Sequence, residues 1–243
     1  MWKFIKSEID SLSGILRSLD VKSVVILLSS TFLFVISWYY ANPLFFLETF
    51  TFLEPEEFIV QELVAHIYWF LLDFILFFLI PLYIVKLSFR EDLKSFGITF
   101  GNKRAGVFYT IISILIFIPI IYLISNTEDY SKYFPLMQSA KSDLLIFIIY
   151  EVVFILFIFS WEFVFRGYML FGLEKKFGFY SILIQMIPFV LLHNGKPFLE
   201  TIASVLGAIF LGYLALRTRS VIYGFIIHAL ILVILDILAY VSN

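Results

Sequence analysis

The chain has 243 residues, of which 62% are hydrophobic, 20% aromatic and only 15% charged, against roughly 45–50% apolar and about 25% charged in an ordinary soluble domain. A water-soluble globule is excluded, and so is a disordered chain, because 31 Phe, 14 Tyr and 4 Trp supply too much apolar surface to stay solvated. Lys and Arg number 17 against 19 Asp and Glu, for a net charge of −2, which argues against nucleic acid as a partner. The absence of cysteine removes thiol nucleophiles, disulfides, thiolate zinc sites and cysteine lipidation. An all-α, polytopic transmembrane helix bundle is the expected fold class, with membrane lipids as its surroundings.

In residues 1–22, Trp2, Ile5, Ile9, Leu12, Leu16 and Leu19 recur at spacings of three and four, with Lys3, Lys6, Glu8, Asp10 and Arg17 between them. This pattern predicts an amphipathic helix lying in the membrane interface. A cleavable signal peptide fits less well, because no continuous apolar core starts before Val24. Seven apolar runs follow, at about 24–41, 63–85, 106–124, 144–172, 179–193, 200–216 and 221–241. They predict seven spans, three of them in the segment 23–142 and the rest in 143–243. The fourth run is too long for one perpendicular crossing and is expected to tilt or break, whereas the fifth falls short of one. In the sixth, Ser204, Ala208 and Gly212 sit four apart, a small-residue face that predicts a central helix.

If the N-terminus faces the cytoplasm, the inner segments hold Lys3, Lys6, Arg17, Lys22, Lys86, Arg90, Lys94, Lys103, Arg104, Lys175, Lys176, Arg217 and Arg219, and the outer ones only Lys132, Lys141 and Lys196. That positive-inside bias predicts an N-terminus inside and a C-terminus outside. The loop at 42–62, with Glu48, Glu54, Glu56, Glu57 and Glu62 and no Lys or Arg, reads as a solvated external cap.

Ionisable groups inside spans are costly enough to suggest function. Glu162 and Arg166 lie four apart in the fourth run and can pair on one face. His193 ends the fifth run, before the turn Asn194-Gly195-Lys196-Pro197 and Glu200, and His228 lies inside the seventh. At about 1.5 Å per residue from the inner edges, Glu162 and His193 come out about 20 Å deep and Arg166 and His228 about 12–14 Å, so the four are expected to converge in one polar cluster. Asp73 lies inside the second run without an evident partner, Glu151 lies eleven residues before Glu162 on nearly the same helix face and could extend the polar seam outward, and His66 and Asp236 sit close enough to the outer edge to be solvated; structural roles are expected for all four.

A carboxylate with histidines in a low-dielectric pocket suits general-base activation of water. The same residues, Glu162, His193 and His228, could instead form a two-His, one-carboxylate zinc site. No His-Glu-x-x-His, Gly-Asp or Gly-x-Ser-x-Gly motif is present, so the zinc-metalloprotease, aspartyl and serine designs lack their usual carriers.

Trp161-Glu162-Phe163-Val164-Phe165-Arg166-Gly167, then Phe189 to His193 with Lys196-Pro197 and Glu200, then His228, resemble in order and spacing the CPBP or Abi family of intramembrane proteases. That family includes type II CAAX prenyl endopeptidases, lysostaphin resistance protein A-like proteins and bacteriocin-processing or immunity proteins. The resemblance covers about 143–240, making 143–243 a CPBP-type catalytic core, and Phe96-Gly97-Ile98 to Gly106 resembles the segment often found before it. The family's Glu-Glu-x-x-x-Arg motif keeps Glu162 and Arg166 but has Trp161 at its usual catalytic Glu. Phe-x-x-x-His is intact as Phe189 and His193, whereas the third motif keeps His228 with Leu232 in place of Asn or Asp. The resemblance implies a glutamate-dependent endopeptidase in a prokaryotic cell membrane, acting on membrane-associated or lipidated peptides with no required cofactor. In it Glu162 is the base, Arg166 orients Glu162, and His193 and His228 position water or stabilise the oxyanion. The rival is an inactive relative serving bacteriocin immunity or partner binding.

Overall fold

A computed structural model describes residues 1–50 and 57–242, and it is helical throughout, with no strand among those residues. Glu54 and Glu56 of the acidic loop lie outside the described residues; Glu48 falls in a short helix, and Glu57 and Glu62 at the head of the next long one.

The elements are α1 (Trp2–Ser18), α2 (Val21–Tyr40), α3 (Pro43–Thr49), α4 (Phe58–Phe89), α5 (Lys103–Ile124), α6 (Glu128–Tyr133), α7 (Leu144–Phe177), α8 (Tyr180–Leu191), α9 (Phe198–Thr218) and α10 (Ile222–Val241). Six of them, α2, α4, α5, α7, α9 and α10, are long and apolar enough to cross a membrane. The remaining run, the fifth, is represented by α8, whose 12 residues reach only about 18 Å, short of a hydrocarbon core of about 30 Å. Pro188 sits within it.

Polar caps start the helices where the apolar pattern begins. Asp20 Oδ2 accepts from the Ser23 N–H at 2.9 Å and hydroxyl at 2.6 Å, fixing the first turn of α2. Those two bonds hold the Asp20 carboxyl below its ordinary value. α1 buries no residue, so Trp2, Ile5, Ile9, Leu12 and Leu16 are exposed on the helix surface.

Contacts fix the direction of each long helix. Across α4 and α7, Phe70 meets Phe154 and Phe78 meets Phe163, so these two run parallel. α2 opposes α7, with Phe34 stacked on Phe165 and Ser29 bonded to Tyr168. α8 and α9 are antiparallel, because Gly212 packs near Ile182 while Gln185 Nε2 donates to the Ala208 carbonyl at 3.1 Å. Short as it is, α8 therefore keeps the alternation of direction along the chain.

The small face of α9 is used as its composition suggests: Ser204, Ala208 and Gly212 are buried. The centre of the bundle, however, is α7. Every residue from Glu162 to Leu173 is buried, enclosed by aromatic side chains from α2, α4 and α8. Size explains the difference: a glycine–alanine face admits one close neighbour, whereas Phe163, Phe165 and Tyr168 project far enough to engage several. Nor does α7 break. It runs through 34 residues and from Phe163 to Phe171 winds as a π-helix, whose wider turn shifts every following side chain around the axis.

Candidate active site

Glu162 ends the first α-helical stretch of α7, immediately before the π segment. Its Oε1 accepts from Arg166 Nη1 at 3.0 Å and from His228 Nδ1 at 2.8 Å. A carboxylate oxygen only accepts, so His228 carries its proton on Nδ1 and presents Nε2 as the free face of the ring. Glu162 and Arg166 are both 0% exposed, whereas the His228 side chain is 18% exposed. The imidazole is thus the accessible end of the relay and the carboxylate its buried end. Such an ion pair tolerates burial only because each charge has a partner.

His193 follows the last turn of α8, and its Nδ1 donates to the Phe189 carbonyl at 2.7 Å. Its own carbonyl accepts from the Lys196 N–H at 3.2 Å and the Thr201 hydroxyl at 3.1 Å, which ties the turn to the head of α9. His193 too presents Nε2 outward from its anchor. Phe189 joins the two halves of the site. Its ring lies 4.5 Å from the His193 ring, 6.3 Å from that of His228 and 4.1 Å below the Arg166 guanidinium carbon. A desolvated cation–π contact of this kind contributes about 2 kcal/mol.

The structure thus joins Glu162, Arg166 and His228 by direct bonds and sets His193 beside them across Phe189. The expected layers, Glu162 with His193 and Arg166 with His228, merge, because the side chains reach further than the rise between their positions. The zinc set is not assembled: among the described residues no group of three His, Asp or Glu is placed to hold a metal ion.

Trp161, where the family motif has its Glu, turns away from the carboxylate. It packs edge-on to Phe77, Phe189 and His193, with the His193 ring at 5.9 Å. Leu232 lies against apolar clusters and offers no polar group. Gly224, which spacing alone did not single out, lines the site: a β-carbon there would stand 3.1 Å from Glu162 Oε2. Its sequence signal was its place one helical turn before His228.

The remaining polar residues are buried. Asp73 is 1% exposed and accepts from Trp69 Nε1 at 3.2 Å. His66 and Asp236, expected to be solvated, are 5% and 0% exposed, because aromatic residues of α4 and α7 and the segment before α7 cover that end of the bundle. Arg166 Nε and Nη2 and Glu162 Oε2 make no hydrogen bond among the described residues.

No curated protein and no solved structure matches this chain. Residues 141–234, which contain Glu162, Arg166, His193 and His228, match the family described as type II CAAX prenyl endopeptidase Rce1-like, and this part of the chain is similar to that family, as its motifs indicate.

Proposed function

We propose that α7 to α10 form a metal-free hydrolytic site for peptide bonds in membrane-associated or prenylated peptides, in which Glu162 and His228 act as a dyad. His228 Nε2 takes a proton from water as its oxygen attacks the scissile carbonyl carbon. The proton passes to the leaving nitrogen when the tetrahedral intermediate collapses. Glu162 holds the ring in the required tautomer and offsets the charge it acquires, while Arg166 fixes Glu162. His193, whose Nδ1–H is spent on Phe189, offers Nε2 as an acceptor and orients the same water. This reading moves the proton-accepting role from Glu162 to His228. The observation that carries it is the 2.8 Å bond from His228 Nδ1 to a carboxylate that is itself 0% exposed.

A second reading, an inactive relative that binds a partner, draws support from Trp161 and Leu232, which leave two motif positions apolar. The test is an assay of the full chain in lipid with a farnesylated C-terminal peptide and its unprenylated control, with and without chelator. Cleavage by the wild type that survives chelation, and its loss by at least about a hundredfold in both Glu162→Gln and His228→Ala at unchanged abundance, is the expected result. Full activity in Glu162→Gln would sink the dyad, and a wild type inert on both peptides while still binding one of them would favour the partner-binding relative.

A further inference from the structure

α7 and α10, the helices that carry Glu162 and His228, meet a second time nearer their outer ends. Glu151 lies eleven residues before Glu162 and Asp236 eight after His228, and because the helices are antiparallel these offsets bring the two carboxyl groups within hydrogen-bonding reach. Glu151 is 8% exposed and Asp236 0%. Tyr150 donates its hydroxyl to Asp236 Oδ2 at 3.2 Å. Neither oxygen of Glu151, nor Oδ1 of Asp236, receives a donor from any side chain or backbone group among the described residues.

Two ionised carboxylates are both acceptors and repel, and at such burial their contact is untenable unless something positive lies between them. Nearby cations do not fill that place. Lys196 and Lys141 face Asp236 only at longer range, and Lys196 Nζ is bonded to Glu200 at 2.6 Å. Among the described residues, the other groups facing the pair are the hydroxyls of Tyr150 and, from α6, Tyr130. We propose that Glu151 and Asp236 form a proton-binding site, an acid–carboxylate pair that shares one proton and latches α10 to α7 above the Glu162–His228 contact.

The latch is independent of hydrolysis, since it stands on the contact between two helices. It gives the bundle a pH dependence of definite sign. The folded chain holds a proton that the unfolded chain releases above the ordinary carboxylate range, so stability falls as pH rises. One retained proton changes the folding equilibrium about tenfold per pH unit. In Glu151→Gln or Asp236→Asn the amide N–H replaces the shared proton, and this dependence disappears while the bond remains.

Two measurements on the full chain in detergent micelles test it. The infrared spectrum at neutral pH should contain a protonated-carboxyl band that shifts in deuterated water, persists in Asp73→Asn and is lost in Glu151→Gln. Thermal unfolding between pH 5 and 8 should show the wild type losing stability relative to Glu151→Gln as pH rises. No such band in Asp73→Asn, or equal pH slopes in wild type and Glu151→Gln, would overturn the proposal. So would a wild-type slope that vanishes when sodium replaces choline, which assigns the place to a metal cation. Should Glu151→Gln fail to fold, the spectra of wild type and Asp73→Asn alone decide.

Discussion

Gly224 of α10 faces Glu162 of α7 so closely that a β-carbon on the glycine would lie 3.1 Å from Oε2 of the carboxylate. Glu162 cannot yield without lengthening a bond to Arg166 or His228, because both hold its other oxygen. In a helix interior Gly→Ala by itself stabilises by about 1 kcal/mol. Gly224→Ala is therefore expected to leave abundance unchanged or raised while lowering activity roughly tenfold, equivalent to about 1.4 kcal/mol lost at the site. Parallel immunoblot and cleavage assays check this, and unchanged activity would show that the approach is not tight.

The Arg166–Glu162 pair predicts a non-additive mutant cycle. Removing the guanidinium in Arg166→Leu strands a buried carboxylate and should destabilise by about 3–5 kcal/mol, along with the loss of the stack on Phe189. Neutralising its partner as well, in Glu162→Gln/Arg166→Leu, should recover a large part of that loss, because no unpaired charge remains. Thermal unfolding of the two single variants and the double variant in one detergent measures the coupling, and additive effects would contradict the pairing.

Trp161 separates packing from chemistry. The sequence alone suggests that Trp161→Ala keeps partial function. With the indole packed among Phe77, Phe157, Phe165, Phe189 and His193, its truncation should instead cost roughly 3 kcal/mol and lower abundance. Trp161→Phe should preserve abundance and most activity, since a ring remains against His193. The informative measurement is activity per folded molecule. A drop in Trp161→Phe matching that of Glu162→Gln would assign the indole a direct role.

Topology is testable without substrate. The alternation of helix directions, α8 included, combined with the positive-inside distribution, predicts that a reporter fused after Asn243 reads as external and one fused before Met1 as internal. Both reporters on the same face would mean that α8 and its turn do not complete a crossing.

Much of this arrangement was legible in one dimension, for a definite reason. Helices must satisfy their own backbone inside lipid, so runs of apolar residues determine where they lie, and the Lys and Arg distribution sets their expected orientation. The ionisable residues stand out for the same reason, since lipid makes each of them expensive; that cost together with their spacing makes Glu162, Arg166, His193 and His228 the candidates. What only tertiary structure decided is how those side chains share partners. Spacing could not show that Glu162 is sealed behind His228, because the outcome depends on the π winding after Glu162 and on a glycine in α10 that admits the carboxylate. Nor could it show that α7 is central, or that Glu151 and Asp236 meet. These results depend on the register of antiparallel helices, which is set by the shapes of Phe154, Phe163, Phe165 and Phe189 packed in three dimensions, and no periodicity along a single helix encodes it.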